Sequence, residues 1–403
     1  MVEKRVALLV MSISSLSIWE LLTCTNIIGG KMQSMFVLLS LLLFVYYAYN
    51  LLRDNEFENS YFKFIFSIFI FYELIIVIRG WSFAFDDLKT NMQTGYILWP
   101  FIIPLFIFFD KNVITFGLFF KWIYYSGLFF LGLVLFFPSY LFDRLTAETI
   151  IALVIPSGFL LLNATYLSDR RVFISFLIVF ISILSLTYLA RRSSLVTLVG
   201  FVISSYFLHL ANKSRSNFFR YFPLIIVIVT LILYSFDNVS ERLTRKMTER
   251  IYEDTRTELY EMFFFDLKDD ILLGKGMNGT YYYPFGEDSE ADGIVFGAIE
   301  YRNIIENGYL QLFLTGGILH IILFSMILLP SAFKGIFDSS NQFSKACGIL
   351  ILLQLIDMFL YGLPKLSLHY ILVWICVGVC YKSSIRRMTD NEIRRELTNI
   401  DKL

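Results

Sequence analysis

Cysteine is scarce in this chain, with 4 among 403 residues, and histidine is scarcer, with 3. Cys24, Cys347, Cys376 and Cys380 lie in or beside apolar runs, where a thiol is usually a small packing residue, so neither a disulfide framework nor a metal centre is expected. Proline is rare too, at 8 residues, and no Gly/Ser-rich or Pro-rich linker divides the chain. Only 17% of residues are charged, and 34 basic residues balance 34 acidic ones. Bulk electrostatic attraction to nucleic acid is therefore excluded, and basic residues matter by position rather than by sum. Internal repeats of the kind transporters carry are also missing.

What the chain has in abundance is apolar length. Hydrophobic residues make up 57% and the mean hydropathy is +0.66, against about 45–50% apolar residues in a soluble domain. Apolar runs occur near 6–22, 35–52, 62–78, 96–109, 113–137, 149–167, 172–189, 194–210, 221–236, 304–331, 345–361 and 366–381. They predict an all-α polytopic membrane protein of about twelve transmembrane helices, because a lipid-embedded backbone must satisfy its own hydrogen bonds. The first run follows Glu3-Lys4-Arg5 but has no small-residue cleavage site after it, so it is read as a span and not as a leader.

One long polar excursion interrupts this pattern, at 237–303. The expected organisation is membrane helices 1–9 in 1–236, a loop domain in 237–303 between helices 9 and 10, helices 10–12 in 304–381, and a tail in 382–403. Counting Lys and Arg on alternate sides gives roughly 18 on the side of the termini and about 7 in the opposite short loops. Both termini are thus expected inside and the loop outside. The tail is charged and shows no apolar stripe, so it is expected to be a peripheral helix or unfolded. Within the loop, 241–250 mixes charges with Leu243 and Met247 four apart, which fits a short amphipathic helix. A solvated face explains it as well as a headgroup-facing one. The acidic run 287–293 lacks the ligand spacing of a calcium loop.

The informative residues cluster at the end of the excursion: Arg256-Thr257-Glu258-Leu259-Tyr260, then Gly274-Lys275-Gly276, then Glu306-Asn307-Gly308-Tyr309-Leu310-Gln311, followed by Gly316-Gly317. Upstream, Leu189-Ala190-Arg191-Arg192 sits between two apolar runs on the same side. In order and placement these features resemble the bacterial O-antigen polymerase and O-antigen ligase family. The resemblance implies about twelve spans, a large periplasmic loop, and an active site facing the periplasm of a bacterial inner membrane. Arg191 or Arg192 corresponds to the family's first arginine and Arg256 to its second. Ligases of the family usually carry a histidine where this chain has Glu306, and none of His209, His320 or His369 occupies that place, which favours polymerase over ligase.

The implied partners are an undecaprenyl-pyrophosphate-linked oligosaccharide donor and acceptor, membrane lipid, and a chain-length regulator; nucleic acid and cofactors are not expected. With pyrophosphate as leaving group, the enzyme has mainly to stabilise its charge and orient an acceptor hydroxyl. Arginine suits the first task, since its planar fork binds phosphate oxygens in pairs. Arg256, Arg191 and Glu306 are therefore the candidate catalytic residues, with Glu306 accepting or holding the hydroxyl proton. Arg192, Arg302, Asn307, Tyr309, Lys275 and Tyr281 are the candidate substrate-binding residues. Blander readings exist for each type: snorkelling for the paired arginines, a surface ion pair with Glu253 or Glu258 for Arg256, a helix-dipole partner for Glu306. A metal-dependent glycosyltransferase would want acidic ligands in the first outer loop, and 23–34 contains no Asp or Glu. A flippase for lipid-linked glycan would also need many spans and buried polar residues, here Glu20, Glu73, Lys121, Asn163, Gln354 and Asp357.

Overall fold

A computed structural model of the chain describes residues 59–82, 84, 87, 90–91, 95–108, 113–142, 150–189, 191–211, 256–283 and 301–398. The expected spans at 6–22, 35–52 and 221–236, the amphipathic stretch 241–250 and the acidic run 287–293 lie outside these residues. Within them, six helices are long and apolar enough to cross a membrane. They belong to α1 (Ser60–Gly80), α3 (Val113–Phe136), α5 (Asp169–Tyr188), α6 (Arg192–Ala211), α8 (Gly308–Phe337) and α9 (Gln342–Leu360). All six coincide with expected apolar runs. Polar residues set their starts: the side chains of Asn59, Asn307 and Asn341 each accept a backbone N–H from the first turn of the following helix.

A seventh apolar helix, α10 (Leu368–Tyr381), is only 14 residues long, and every one of them is buried. Apolar on all faces, it can be stable only when surrounded, and α8, α9 and the 96–108 segment surround it. Trp374 and Phe69 stack there with ring centroids 5.7 Å apart.

Two expected spans are not continuous helices. The 96–109 run forms α2 (Trp99–Ile102) and then a 3₁₀ stretch, Ile103–Phe108. The 149–167 run forms a π-helical turn (Ile150–Val154), then α4 (Ser157–Leu162), then a 3₁₀ turn (Ala164–Tyr166). Proline is the cause: Pro100, Pro104 and Pro156 lack the N–H that an α-helical ladder needs. The backbone freed in this way is satisfied from the side, as burial in an apolar bundle requires. The Ser205 hydroxyl donates to the Leu161 carbonyl at 2.8 Å, and the Asn163 amide donates to that of Phe159 at 2.9 Å.

The tail takes the first of its two expected forms, a peripheral helix. It folds as α11 (Ser383–Arg387) and α12 (Asp390–Thr398) and docks on the bundle. Its apolar residues are sparse, yet Ile393 and Leu397 lie one turn apart on α12 and both are buried, with Ile385 buried ahead of them. Polar ties hold the contact. The Asp390 carboxylate accepts from the Tyr166 hydroxyl and the Gln342 N–H, and the Arg394 guanidinium donates to the Thr165 carbonyl at 2.7 Å.

These contacts define two ends of the bundle. At one end the tail meets the start of α9, and Phe62 at the start of α1 stacks on Tyr381 at the end of α10. At the other, the 256–283 segment meets the end of α1 and the first half of α8. α5 leaves the tail end beside Thr165 and rises about 30 Å over its 20 residues, which carries Arg191 to the loop end.

Candidate functional site

The Gly274-Lys275-Gly276 turn is built into a membrane helix. α8 is broken at Gly316 and Gly317, and Gly317 has φ +62°. In an unbroken helix the N–H groups of Ile318 and Leu319 would donate to the carbonyls of Leu314 and Thr315. Here they donate instead to the carbonyls of Ile271 and Leu272, at 2.9 and 3.4 Å. The vacated carbonyls of Leu314 and Thr315 accept the N–H groups of Lys275 and Gly276, at 2.8 and 2.9 Å. The loop thus replaces the missing rungs of the helix, which is what permits a non-helical break among apolar neighbours. Gly274 and Gly276 take φ of +62° and +87° to make this approach. A Cβ on Gly274 would stand 2.6 Å from the Gly316 and Gly317 nitrogens.

The end of α1 closes the other side. The Met277 N–H donates to the Ile76 carbonyl at 3.1 Å, and the Asn278 amide donates to that of Gly80 at 2.9 Å. Arg79 donates through both terminal nitrogens to the carbonyls of Leu273 and Gly274, at 2.7 and 2.8 Å. The tyrosine at the middle of the contact, Tyr72, donates to the Gly316 carbonyl at 2.6 Å. Below it, the carboxylate of Glu73 faces the His320 ring at 3.7 Å, both side chains buried.

Among the expected site residues, Lys275 pairs with Asp266 at 2.7 Å and donates to the Thr280 carbonyl at 3.1 Å, bracing the turn. α7 (Arg256–Asp266), described from Arg256 onward, lies on a small apolar cluster of Phe263, Leu267, Tyr281, Ile305, Phe313 and Leu314. This cluster ties the loop to α8. Tyr281 belongs to β1 (Tyr281–Tyr282) and pairs antiparallel with Arg302 of β2 (Tyr301–Arg302). Its hydroxyl donates to the Ile304 carbonyl at 3.2 Å, and burial pushes its pKa up to about 12, so it stays protonated. The guanidinium carbon of Arg302 lies 3.3 Å from the centre of the Tyr283 ring.

The entry to α8 is held from two sides. Asn307 caps the Tyr309 and Leu310 N–H groups at 3.1 Å and donates to the Phe359 carbonyl at 2.9 Å. Tyr309 donates to the Leu355 carbonyl at 2.9 Å. Gln311 accepts the Ile305 N–H and donates to the Asn303 carbonyl, fixing the non-helical segment that presents Glu306 at the surface. Asn307→Ala should lower stability by about 1–2 kcal/mol through loss of the cap. Asn307→Asp keeps the cap and should lose less, which thermal unfolding in detergent would resolve.

Arg191 and Arg192 stand at the N-terminus of α6: the Arg191 carbonyl accepts the Leu195 N–H at 3.2 Å and Arg192 is the first helical residue. The structure therefore brings Arg191, Arg192, the glycine turn, Arg302 and Glu306 to one end of the bundle. Sequence reading missed three residues there. The sequence hides Arg79, whose partners lie about 195 positions away, and gives no sign of the backbone partners of Gln311. Lys365, in the turn between α9 and α10, is buried against the Tyr96 ring, with its ammonium 3.4 Å from the Tyr96 hydroxyl. Tyr361, at the end of α9, lies within electrostatic reach of both Lys365 and Glu306.

No curated protein and no solved structure matches the chain. Residues 176–325, from α5 through the loop to the middle of α8, match the family model described as O-antigen ligase. This matched segment contains Arg191, Arg192, Arg256, the glycine turn and Glu306, and over that length the chain is similar to the O-antigen ligase model, consistent with the O-antigen polymerase and ligase family.

Proposed function

We propose that the protein is a metal-independent polymerase of surface polysaccharide. It transfers a glycan chain from an undecaprenyl-pyrophosphate donor to a hydroxyl of a lipid-linked repeat unit, at the periplasmic face of a bacterial inner membrane. What carries the reading is the O-antigen ligase match over 176–325 together with an acidic residue, Glu306, where ligases present a histidine. The cationic Arg191-Arg192 pair at the positive N-terminal end of α6 adds support. An anion at this helix N-terminus, as the departing pyrophosphate would be, would meet both the helix dipole and two arginine positions. In this reading arginine forks take up pyrophosphate charge, and Glu306, in the bend before α8 held by Gln311, accepts the proton from the attacking hydroxyl. The hydroxyl oxygen bonds the anomeric carbon as the carbon–oxygen bond to pyrophosphate breaks. The description of the matching model favours a second reading, transfer of the finished glycan to a lipid A-core acceptor, as a ligase performs.

Deleting the gene and inspecting surface polysaccharide separates the two. A polymerase deletion leaves single repeat units on the acceptor, whereas a ligase deletion leaves none. The sidedness has its own test. With the inner membrane intact and the outer one permeabilised, Asp269→Cys on the loop should label with an impermeant maleimide and Asn391→Cys on the tail should not. Labelling in the reverse pattern would reject a periplasmic site.

A further inference from the structure

The loop that mends the break in α8 carries apolar side chains on its outside. Phe265, Ile271, Leu272 and Leu273 are all exposed, Phe265 at 69% and Leu272 at 68%, so about two-thirds of each of these two is bare. A row of three uncovered aliphatic residues is unusual on a surface that faces water. We propose that this surface faces lipid: the 265–273 segment is an interfacial anchor whose side chains enter the acyl layer of the adjacent leaflet while its backbone stays at the boundary.

The backbone meets the condition that lipid imposes. Five successive carbonyls, those of 270–274, accept hydrogen bonds from within the protein. That of Asp270 takes the Gly274 N–H, those of Ile271 and Leu272 take the Ile318 and Leu319 N–H groups, and those of Leu273 and Gly274 take Arg79. A turn in water has no need of this, whereas a turn whose side chains draw it toward acyl chains does. Its position agrees. Ile318 and Leu319 are themselves exposed on α8, with Ile322 one turn on, and Ile78, beside Arg79 on α1, is exposed as well. Both helices are long and apolar enough to span, so their bare apolar faces meet lipid, and the turn is bonded to both at that level. The charge pattern marks the boundary. Lys268-Asp269-Asp270 directly precedes Ile271, and the Lys268 ammonium lies 4.9 Å from the centre of the Phe265 ring, as a cation lying over an interfacial aromatic would. α8 starts eight residues before Gly316, about 12 Å at helical rise, so an anchor at this depth holds Glu306 in the headgroup layer. The inference depends neither on the polymerase reading nor on which leaflet the loop meets.

The test uses the full chain in phosphatidylcholine vesicles, with a nitroxide attached at Leu272→Cys, Phe265→Cys, Asp269→Cys or Ile322→Cys. The signal of the equally treated parent is subtracted; its Cys347, Cys376 and Cys380 are buried. Accessibility to oxygen, which concentrates among acyl chains, is compared with accessibility to a water-soluble nickel chelate. Labels at Leu272 and Phe265 should report depths of about 5–10 Å below the headgroup boundary. The Asp269 label should report none, and the Ile322 label should lie deeper than either. Leu272 and Phe265 are exposed, so their replacement removes little buried contact, and either site decides the matter if the other variant fails to fold. Nickel access at Leu272 and Phe265 equal to that at Asp269 would overturn the proposal. So would exclusion of both reagents, which would mean that protein, a second copy or another part of this chain, covers the surface.

Discussion

Arg256→Ala is expected to stop polymer extension while the protein remains in the membrane at its normal level, and so is at least one of Arg191→Ala and Arg192→Ala. Each change removes a cation from the proposed pyrophosphate site. Loss of one charge-assisted donor from such a site costs about 2.7–4 kcal/mol in the transition state, roughly 10²–10³ in rate. Arg191 is half-buried between two helices, its N–H donating to the Leu186 carbonyl and its carbonyl accepting the Leu195 N–H, so membrane level of the variant is measured beside its activity. Lysine at these positions should restore part of the activity, because the charge returns without the planar fork. Glu306→Gln separates proton transfer from positioning, since it keeps shape and hydrogen-bonding reach but cannot take a proton. Polysaccharide length on gels, with membrane protein measured in parallel, reads all four variants. Wild-type extension by Glu306→Gln would remove Glu306 as base. Silence of all three arginine variants would sink the polymerase reading and favour a lipid-linked glycan flippase.

Gly274→Ala should be among the most damaging single methyl additions in the described structure, with Gly317→Ala on the other side of the same contact. The Gly274 φ of +62° is left-handed, and the new Cβ would lie 2.6 Å from three backbone atoms of α8, none of which can rotate away. The turn would have to retreat, and four hydrogen bonds between loop and α8 depend on it: those of Lys275, Gly276, Ile318 and Leu319. Backbone groups orphaned among apolar neighbours cost about 1–3 kcal/mol each, so a loss of about 4 kcal/mol or more is expected, with activity lost in step. Gly132→Ala on α3 is the control. Nothing lies within 4 Å of its added Cβ, and removing a mid-helix glycine should stabilise by about 0.5–1 kcal/mol. Thermal unfolding of the two variants in one detergent makes the comparison. A Gly274→Ala protein as stable as the parent would mean that the loop does not brace the break in α8.

Arg79→Ala should act in the same direction and more weakly, since it removes two donors to the Leu273 and Gly274 carbonyls without adding a clash. Such carbonyls can turn to water at the bundle end, which limits the cost to about 1–3 kcal/mol. The same unfolding measurement would show it, and a shift as large as that of Gly274→Ala would mean that Arg79 holds more than the turn.

By itself the sequence determined that this is a many-helix membrane protein and where most of its helices run. Apolar length is a local property, and six of the expected spans are helices at nearly the expected bounds, α8 alone among them interrupted, at Gly316-Gly317. It also singled out the glycine turn and the Asn307 cap, because left-handed backbone and helix starts demand particular residues. Only the tertiary structure decided what those residues meet. The run 149–167 looked like a span because composition hides what Pro156 does to a hydrogen-bond ladder, and the tail looked stripe-free because two well-placed residues, Ile393 and Leu397, suffice once a surface is there to receive them. The exchange of hydrogen bonds between 271–276 and 314–319 could not be read from either segment alone. Each is an ordinary glycine-containing stretch, and the requirement that both breaks be satisfied together arises only when burial removes water as the alternative partner.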